Sequence, residues 1–191
     1  MITKKIGVLV GSLRKESFCR KVAKALAELT PSGFSLEIIE IGDLAIYNQD
    51  FDDEGNPPAA WTALREGAGS YDAFLFVTPE YNRSVPAVLK NALDIGSRPY
   101  GKNVWDGKPG AVVSVSPGGL GAFGANHHLR QSLVCLNVPV MQQPEAYVGN
   151  VATLFDADGI LSNDNSREFL QKFLQAFATW IVKNAPNQHK N

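Results

Sequence analysis

Apolar residues along this chain keep two rhythms. Short unbroken runs alternate with longer stretches in which apolar residues return every three or four positions. "KIGVLV" near the start reads as a first buried strand. From Ser17 to about Leu29, Val22, Ala25, Leu26 and Leu29 recur at helical spacing, and Pro31 and Gly33 stop the helix. "SLEIIEI" predicts a second strand. "DLAIYNQDFDDEGNPPAA", rich in Asp, Asn, Gly and Pro, reads as a long loop, with a short helix from about Pro58 to Gly67. "YDAFLFV" is continuous and apolar, as expected of a strand buried on both faces. Val85, Val88, Leu89, Ala92 and Leu93 mark the next helix, with Pro86 tolerated in its first turn. "GAVVSVS" predicts a fourth strand, followed by a glycine-rich loop and a helix ending near Leu136. "VPVMQQPEAYV" supplies a fifth strand. Phe169, Leu170, Phe173, Leu174, Phe177, Trp180 and Ile181 draw the clearest helical stripe of all.

Five strands alternating with five helices imply an α/β fold with a parallel sheet covered on both faces. Ligands of such sheets sit outside the carboxyl ends of the strands, where the strand order reverses. Attention falls on the loops after strands one, three and four: "GSLRKES", "TPEYNRS" and "SPGGLGAFG".

Composition changes this picture little. The 191 residues suit one domain, 1–191, and no repeat or linker divides them. With 45% hydrophobic and 19% charged residues the chain is ordinary for a soluble globular protein, and a net charge of -1 points to no nucleic-acid or membrane surface. No apolar run nears the roughly 18 residues that span a bilayer. The apolar run after "MITKK" is too short for a signal-peptide core. Cys19 and Cys135 fit neither a disulfide framework nor a metal spacing, and His127, His128 and His189 form no ligand pattern. The expectation is a cytoplasmic, reduced protein without a metal site. Asp52, Asp53 and Glu54 read as a solvated acidic loop, Cys135 as a core residue, and His127–His128 as a surface or interface pair.

The first loop has phosphate chemistry. Ser12 and Ser17 offer hydroxyls, Arg14 a charged fork, and the helix beginning near Ser17 its free N–H groups. Neither GxxxxGK[ST] nor GxGxxG occurs there, and Ser17 also reads as a plain N-cap. In "TPEYN", backbone amides of Glu80, Tyr81 and Asn82 could meet the edge of a heteroaromatic ring beside Pro79 and Tyr81; the alternative is a structural turn. Gly118, Gly119, Gly121 and Gly124 allow close backbone approach to a flat ligand, or simply a flexible loop. A phosphate joined to a flat polar ring satisfies all three loops, and flavin mononucleotide (FMN) is such a ligand.

"GSLRKESF", "TPEYNRSVPAVLKNALD" and "HLRQSLVCLNVPVMQQPE" resemble, in order, the signatures of the NAD(P)H-dependent FMN reductases, in particular the bacterial quinone and chromate reductase branch. The resemblance covers nearly the whole chain. It implies a flavodoxin-like three-layer fold, with a five-stranded parallel sheet in the order 2-1-3-4-5. It also implies FMN at the switch point and NADPH or NADH as donor. By resemblance, Ser12, Arg14 and Ser17 hold the phosphate, with Phe18 and Cys19 beside them. Pro79, Glu80, Tyr81 and Asn82 line the isoalloxazine, Ser116 and Gly118 approach its other end, and Arg83 and Gly119 lie on the substrate side. This chain departs from the family in having Cys19 where Asn is usual, Arg83 after "PEYN", and Ile95 where Trp is frequent.

The resemblance implies hydride transfer to the flavin and then to quinones, free flavin, azo compounds or chromate, with no general acid or base from the protein. A one-electron carrier is the alternative, but carriers of this fold are strongly acidic and this chain is not; an FMN-binding redox sensor is another. Cys19 as a nucleophile lacks a partner arginine, since Ala25 stands where a Cys-x₅-Arg loop would need it. The family forms dimers, often paired into tetramers, and Arg130 and Glu145 are expected at subunit contacts.

Overall fold

The computed structural model describes residues 3–185, so His189 lies outside the described residues. Five parallel strands form one sheet: β1 (Lys4–Val10), β2 (Phe34–Ile39), β3 (Ala73–Thr78), β4 (Gly110–Val115) and β5 (Ala146–Val148). Their spatial order is β2-β1-β3-β4-β5, as expected. β1 pairs with β2 on one side, Lys4 opposite Phe34, and with β3 on the other, Ile6 opposite Ala73. Every residue of β3 and β4 is buried, which explains their unbroken apolar runs.

Side chains alternate across the pleat into two cores. Val8, Leu75 and Val113 face α1 (Phe18–Glu28) and the long C-terminal helix α6 (Asp164–Asn184). Leu9, Phe74, Phe76 and Val112 face the other helices: α3 (Ala59–Ala68), α4 (Ala87–Gly96) and α5 (Phe123–Cys135). The second core is aromatic, with Trp61 and Trp105 fully buried. Because β1 feeds a helix on one face and β3 feeds a helix on the other, their carboxyl ends part and leave a crevice between them.

Four expectations need correction. The stretch after β2 contains a short helix, α2 (Asp50–Asp53), and Asp52 is not solvated. Its carboxylate forms a buried bidentate pair with Arg65, at 2.7 and 2.8 Å, while Arg65 Nε donates to Ile95 O at 3.0 Å. Arg65 lies 13 residues away on α3, at a distance acidic clustering does not reveal. Cys135 is exposed, because it falls on the outer side of the last turn of α5. The fifth strand is short: Val140 forms only an isolated bridge to Gly110, and regular pairing waits until Ala146. The α4 helix begins at Ala87, after Pro86 at its N-cap and outside Val85.

Candidate active site

Gly11 continues β1 by donating its N–H to Val77 O at 2.9 Å, which sets the first loop at the carboxyl edge of β3. Ser12 and Ser17 are both buried. Ser17 is the N-cap of α1, and its Oγ accepts the Arg20 N–H at 3.2 Å. That hydroxyl proton can still be donated, so cap and anion ligand are compatible roles. The first amides of α1, Phe18 and Cys19, have no partner inside the helix. Arg20 turns aside into a bidentate pair with Glu40. Arg14 has no hydrogen bond or ion pair among the described residues. Burial pushes the Cys19 thiol up to about 12, against the opposing effect of its own backbone N–H. It is a neutral thiol at neutral pH and no nucleophile.

The loop after β3 is a tight two-residue turn. Tyr81 N–H donates to Ser84 O at 3.1 Å, and Ser84 N–H donates to Tyr81 O at 3.0 Å. Asn82 and Arg83 sit at φ 50 and 67, a left-handed pair that suits Asn and strains Arg. The Glu80 carboxylate accepts from the Ala125 N–H at 3.0 Å and from Arg83 Nη1 at 3.2 Å.

In the loop after β4, Ser116 Oγ accepts the Gly118 N–H at 3.0 Å. The four glycines have two different purposes. Gly121 has φ +58, and a Cβ there would stand 2.7 Å from the Tyr147 carbonyl carbon, so packing alone demands it. Gly124 is likewise pressed against Glu80, whereas a Cβ on Gly119 would meet nothing within 4 Å. Behind this loop lies a buried polar network that sequence reasoning missed. Ser114 Oγ donates to Gly121 O at 2.6 Å and accepts from Asn126 Nδ2 at 3.1 Å. Asn126 Oδ1 accepts from Arg130 Nε at 2.8 Å.

The three loops enclose a cleft of about 240 Å³, lined by Ser12, Arg14, Phe18, Cys19, Pro79, Glu80, Tyr81, Val115, Ser116 and Pro117. Eight of these ten were singled out from the sequence; Val115 and Pro117 were not, although both flank Ser116 at the end of the strand. Ser17, Asn82, Arg83, Gly118 and Gly119 do not line this cleft themselves. An apolar bay of about 390 Å³ shares Arg14 and Tyr81 with the cleft and adds Leu13, Pro86 and Val88.

Residues 4–153 match the family described as NADPH-dependent FMN reductase. The chain belongs to the NADPH-dependent FMN reductase family. It is 61% identical over 179 residues to a quinone reductase of Pseudomonas putida, covering 94% of this chain and 95% of that protein. Identity to a 2-hydroxy-1,4-benzoquinone reductase of a Burkholderia species is 45% over 177 residues, 93% and 96% of the two chains. Among solved structures, FerB of Paracoccus denitrificans, a flavoenzyme NAD(P)H:(acceptor) oxidoreductase, superposes with a TM-score of 0.90. It is 40% identical, with 96% of this chain and 100% of that one covered.

This FMN reductase family member is an NAD(P)H-dependent flavin oxidoreductase of flavodoxin-like fold. Its residues fit FMN. The Arg14 guanidinium, unpaired among the described residues, and the buried Ser12 hydroxyl line the cleft beside the first amides of α1, a donor set that suits a phosphate. Backbone presented by the hydrogen-bonded Tyr81–Ser84 turn suits a polar ring. No group of three or more acidic, His or Cys side chains that could hold a metal occurs among the described residues, nor a helix long and apolar enough to cross a membrane.

Arg130 and Glu145 occupy neighbouring parts of one surface without pairing. Arg130 turns inward, donating Nη1 to Met141 O at 2.8 Å in addition to its bond with Asn126. Glu145 lies 3.9 Å from His127 Nε2, and Tyr147 Oη lies 2.9 Å from the same nitrogen. Burial, and then the Glu145 carboxylate, push the Tyr147 phenol up to about 12. His127 packs against exposed Phe123 with the rings tilted at 49° and their centroids 4.4 Å apart.

Proposed function

We propose that this protein reduces quinones with electrons from NAD(P)H, one substrate after the other at a single site. The observation that carries this reading is the convergence of three loops, distant in sequence, on one cleft lined by an arginine that is unpaired among the described residues. The names of the Pseudomonas and Burkholderia relatives support the quinone as acceptor. Ser12, Arg14 and Ser17, with the amides of Phe18 and Cys19, bind the FMN phosphate. Backbone of Pro79, Glu80, Tyr81 and Asn82 holds the ring edge, Ser116 and Gly118 hold its far end, and Arg83 and Gly119 stand on the substrate side. When bound, FMN supplies the two-electron chemistry that these side chains lack. The protein binds, orients and keeps water from the reacting face. The apolar bay beside Arg14 and Tyr81 offers walls suited to a quinone ring.

The chain assembles, in this reading, as a homodimer or homotetramer with Arg130 and Glu145 near the contact; light scattering of the native protein measures its mass. The catalytic test is steady-state oxidation of NADPH with a benzoquinone and FMN-loaded protein. Double-reciprocal plots at several quinone concentrations should be parallel. Intersecting lines would mean that both substrates bind together, and a lack of turnover without an added reductase would make the protein a carrier. The same assay with chromate, free flavin or an azo dye ranks other acceptors.

A further inference from the structure

Helix α5 begins without a cap of its own. Its N-cap position is Ala122, at φ 60, with no side-chain acceptor and no acidic residue in the first turn. A helix start carries unpaired N–H groups and a partial positive charge, and usually finds a polar side chain just before it. Here the acceptor comes from 45 residues away. Glu80 Oε2 takes the Ala125 N–H at 3.0 Å, and Glu80 Oε1 takes Arg83 Nη1 at 3.2 Å. The Glu80 carboxylate is only 15% exposed.

We infer that Glu80 is a positioning residue, whose carboxylate caps α5 and so fixes the 80–84 turn for the ring edge of the flavin; this rests on the flavin reading above. The turn needs outside support. Asn82 and Arg83 both lie in the left-handed region, which non-glycine residues keep only when their surroundings hold them there. Support comes from one direction, the start of α5. Ser84 Oγ lies 3.1 Å from His128 Nδ1, one helical turn beyond Ala125. Gly124 makes the approach possible: a Cβ there would stand 2.9 Å from Glu80 Oε2 and 3.0 Å from Arg83 O. The same helix start is tied to the glycine loop after β4, since Asn126 bonds Ser114 and Ser114 holds Gly121 O. One capped helix end therefore sets the ring-edge turn and the glycine loop relative to each other.

The test uses full-length Glu80→Ala, Glu80→Gln and Gly124→Ala proteins with two readouts: amide hydrogen exchange of the FMN-free chain, and FMN affinity from quenching of flavin fluorescence. Glu80→Ala should speed exchange at residues 81–84 and 123–126 by about tenfold or more, leave β3 and β4 protected, and weaken FMN by about tenfold, the scale of one hydrogen bond to a charged group. Glu80→Gln keeps a carbonyl for the Ala125 N–H and should restore most of both. Gly124→Ala, which presses a methyl group against the Glu80 carboxylate while leaving Glu80 itself unsubstituted, should reproduce the Glu80→Ala pattern. Native exchange in Glu80→Ala would overturn the inference, as would acceleration spread evenly over the chain. Local acceleration with unchanged FMN affinity would leave Glu80 a helix cap alone and overturn its positioning role. If the native protein bound no FMN, the flavin reading would fail, while the exchange pattern would still decide the clasp.

Discussion

The two walls of the cleft are built on opposite plans. The wall from β1 keeps its donors unpaired: Arg14 has no partner among the described residues, and the first amides of α1 point outward. The wall from β3 and β4 is cross-braced. The carboxylate of Glu80, the hydroxyls of Ser84, Ser114 and Ser116, and the amide of Asn126 are all bonded within the chain. In the proposed reading, one wall meets an anion with donors left free for it. The other displays backbone, and its side chains face backwards to keep that backbone still. Cutting the first should therefore weaken ligand binding, and cutting the second should loosen the protein.

The largest effect is expected behind the braced wall. The Asp52–Arg65 pair fastens the segment after β2 to α3 and, through Ile95 O, to α4, the helix that leaves the ring-edge turn. Removing one partner of a buried pair strands the other charge, so Asp52→Asn should cost about 3 kcal/mol in chemical denaturation. The pH dependence follows from the carboxyl itself. Hydrogen bonds from Arg65 hold Asp52 below the usual carboxylate range despite its burial. A depressed pKa gives stability that is complete above the unfolded value, about 3.9, and is lost as pH falls through the folded value. The gap between native and Asp52→Asn proteins should be constant from pH 7 to about pH 5 and should narrow below pH 4. A gap unchanged at pH 2 would exclude the ion pair as its source.

The open wall should break in the other manner. Arg14→Ala removes a charged donor that is bonded to nothing among the described residues, so the unfolding midpoint should not move. FMN affinity should fall ten- to a hundredfold, as one charge-assisted hydrogen bond of roughly 1.5–3 kcal/mol requires. Titration of the apoprotein with FMN measures it. An Arg14→Ala protein that binds FMN normally but unfolds early would reverse the contrast between the walls.

That contrast also separates what was legible in the sequence from what was not. The sheet and the three loops could be read because apolar periodicity records burial locally, whereas the strand order came only with the family resemblance. Ser12 and Arg14, which line the cleft, could be singled out because they are polar residues in the loop after β1. The clasp from Glu80 to α5 and the pair from Asp52 to Arg65 could not, since each joins residues that only the fold brings together. Gly124 illustrates the difficulty. Within "SPGGLGAFG" it looks like one more flexible glycine, yet it is fixed by a carboxylate from another loop. Cys135 was misread because its neighbours Val134 and Leu136 are apolar, while Val134 is itself exposed.

The smallest effect concerns Cys19, and it tests whether the open wall is open in structure or only in bonding. The thiol is buried under the first turn of α1, and burial raises it to about 12. At pH 8 the reactive thiolate is then roughly one part in ten thousand. Cys135 is exposed, so alkylation at pH 8 should modify one thiol per chain quickly, and a Cys135→Ser protein should react slowly. Cys19→Ala should change FMN affinity by less than about threefold, because a thiol is a weak donor. Two fast thiols in the apoprotein, falling to one when FMN is added, would mean that the start of α1 opens before the phosphate arrives. The walls would then differ in rigidity as well as in bonding, and the entropy of closing that loop would belong to the binding free energy. A single fast thiol in both states would leave the first loop closed and waiting, with Arg14 alone reaching for the anion.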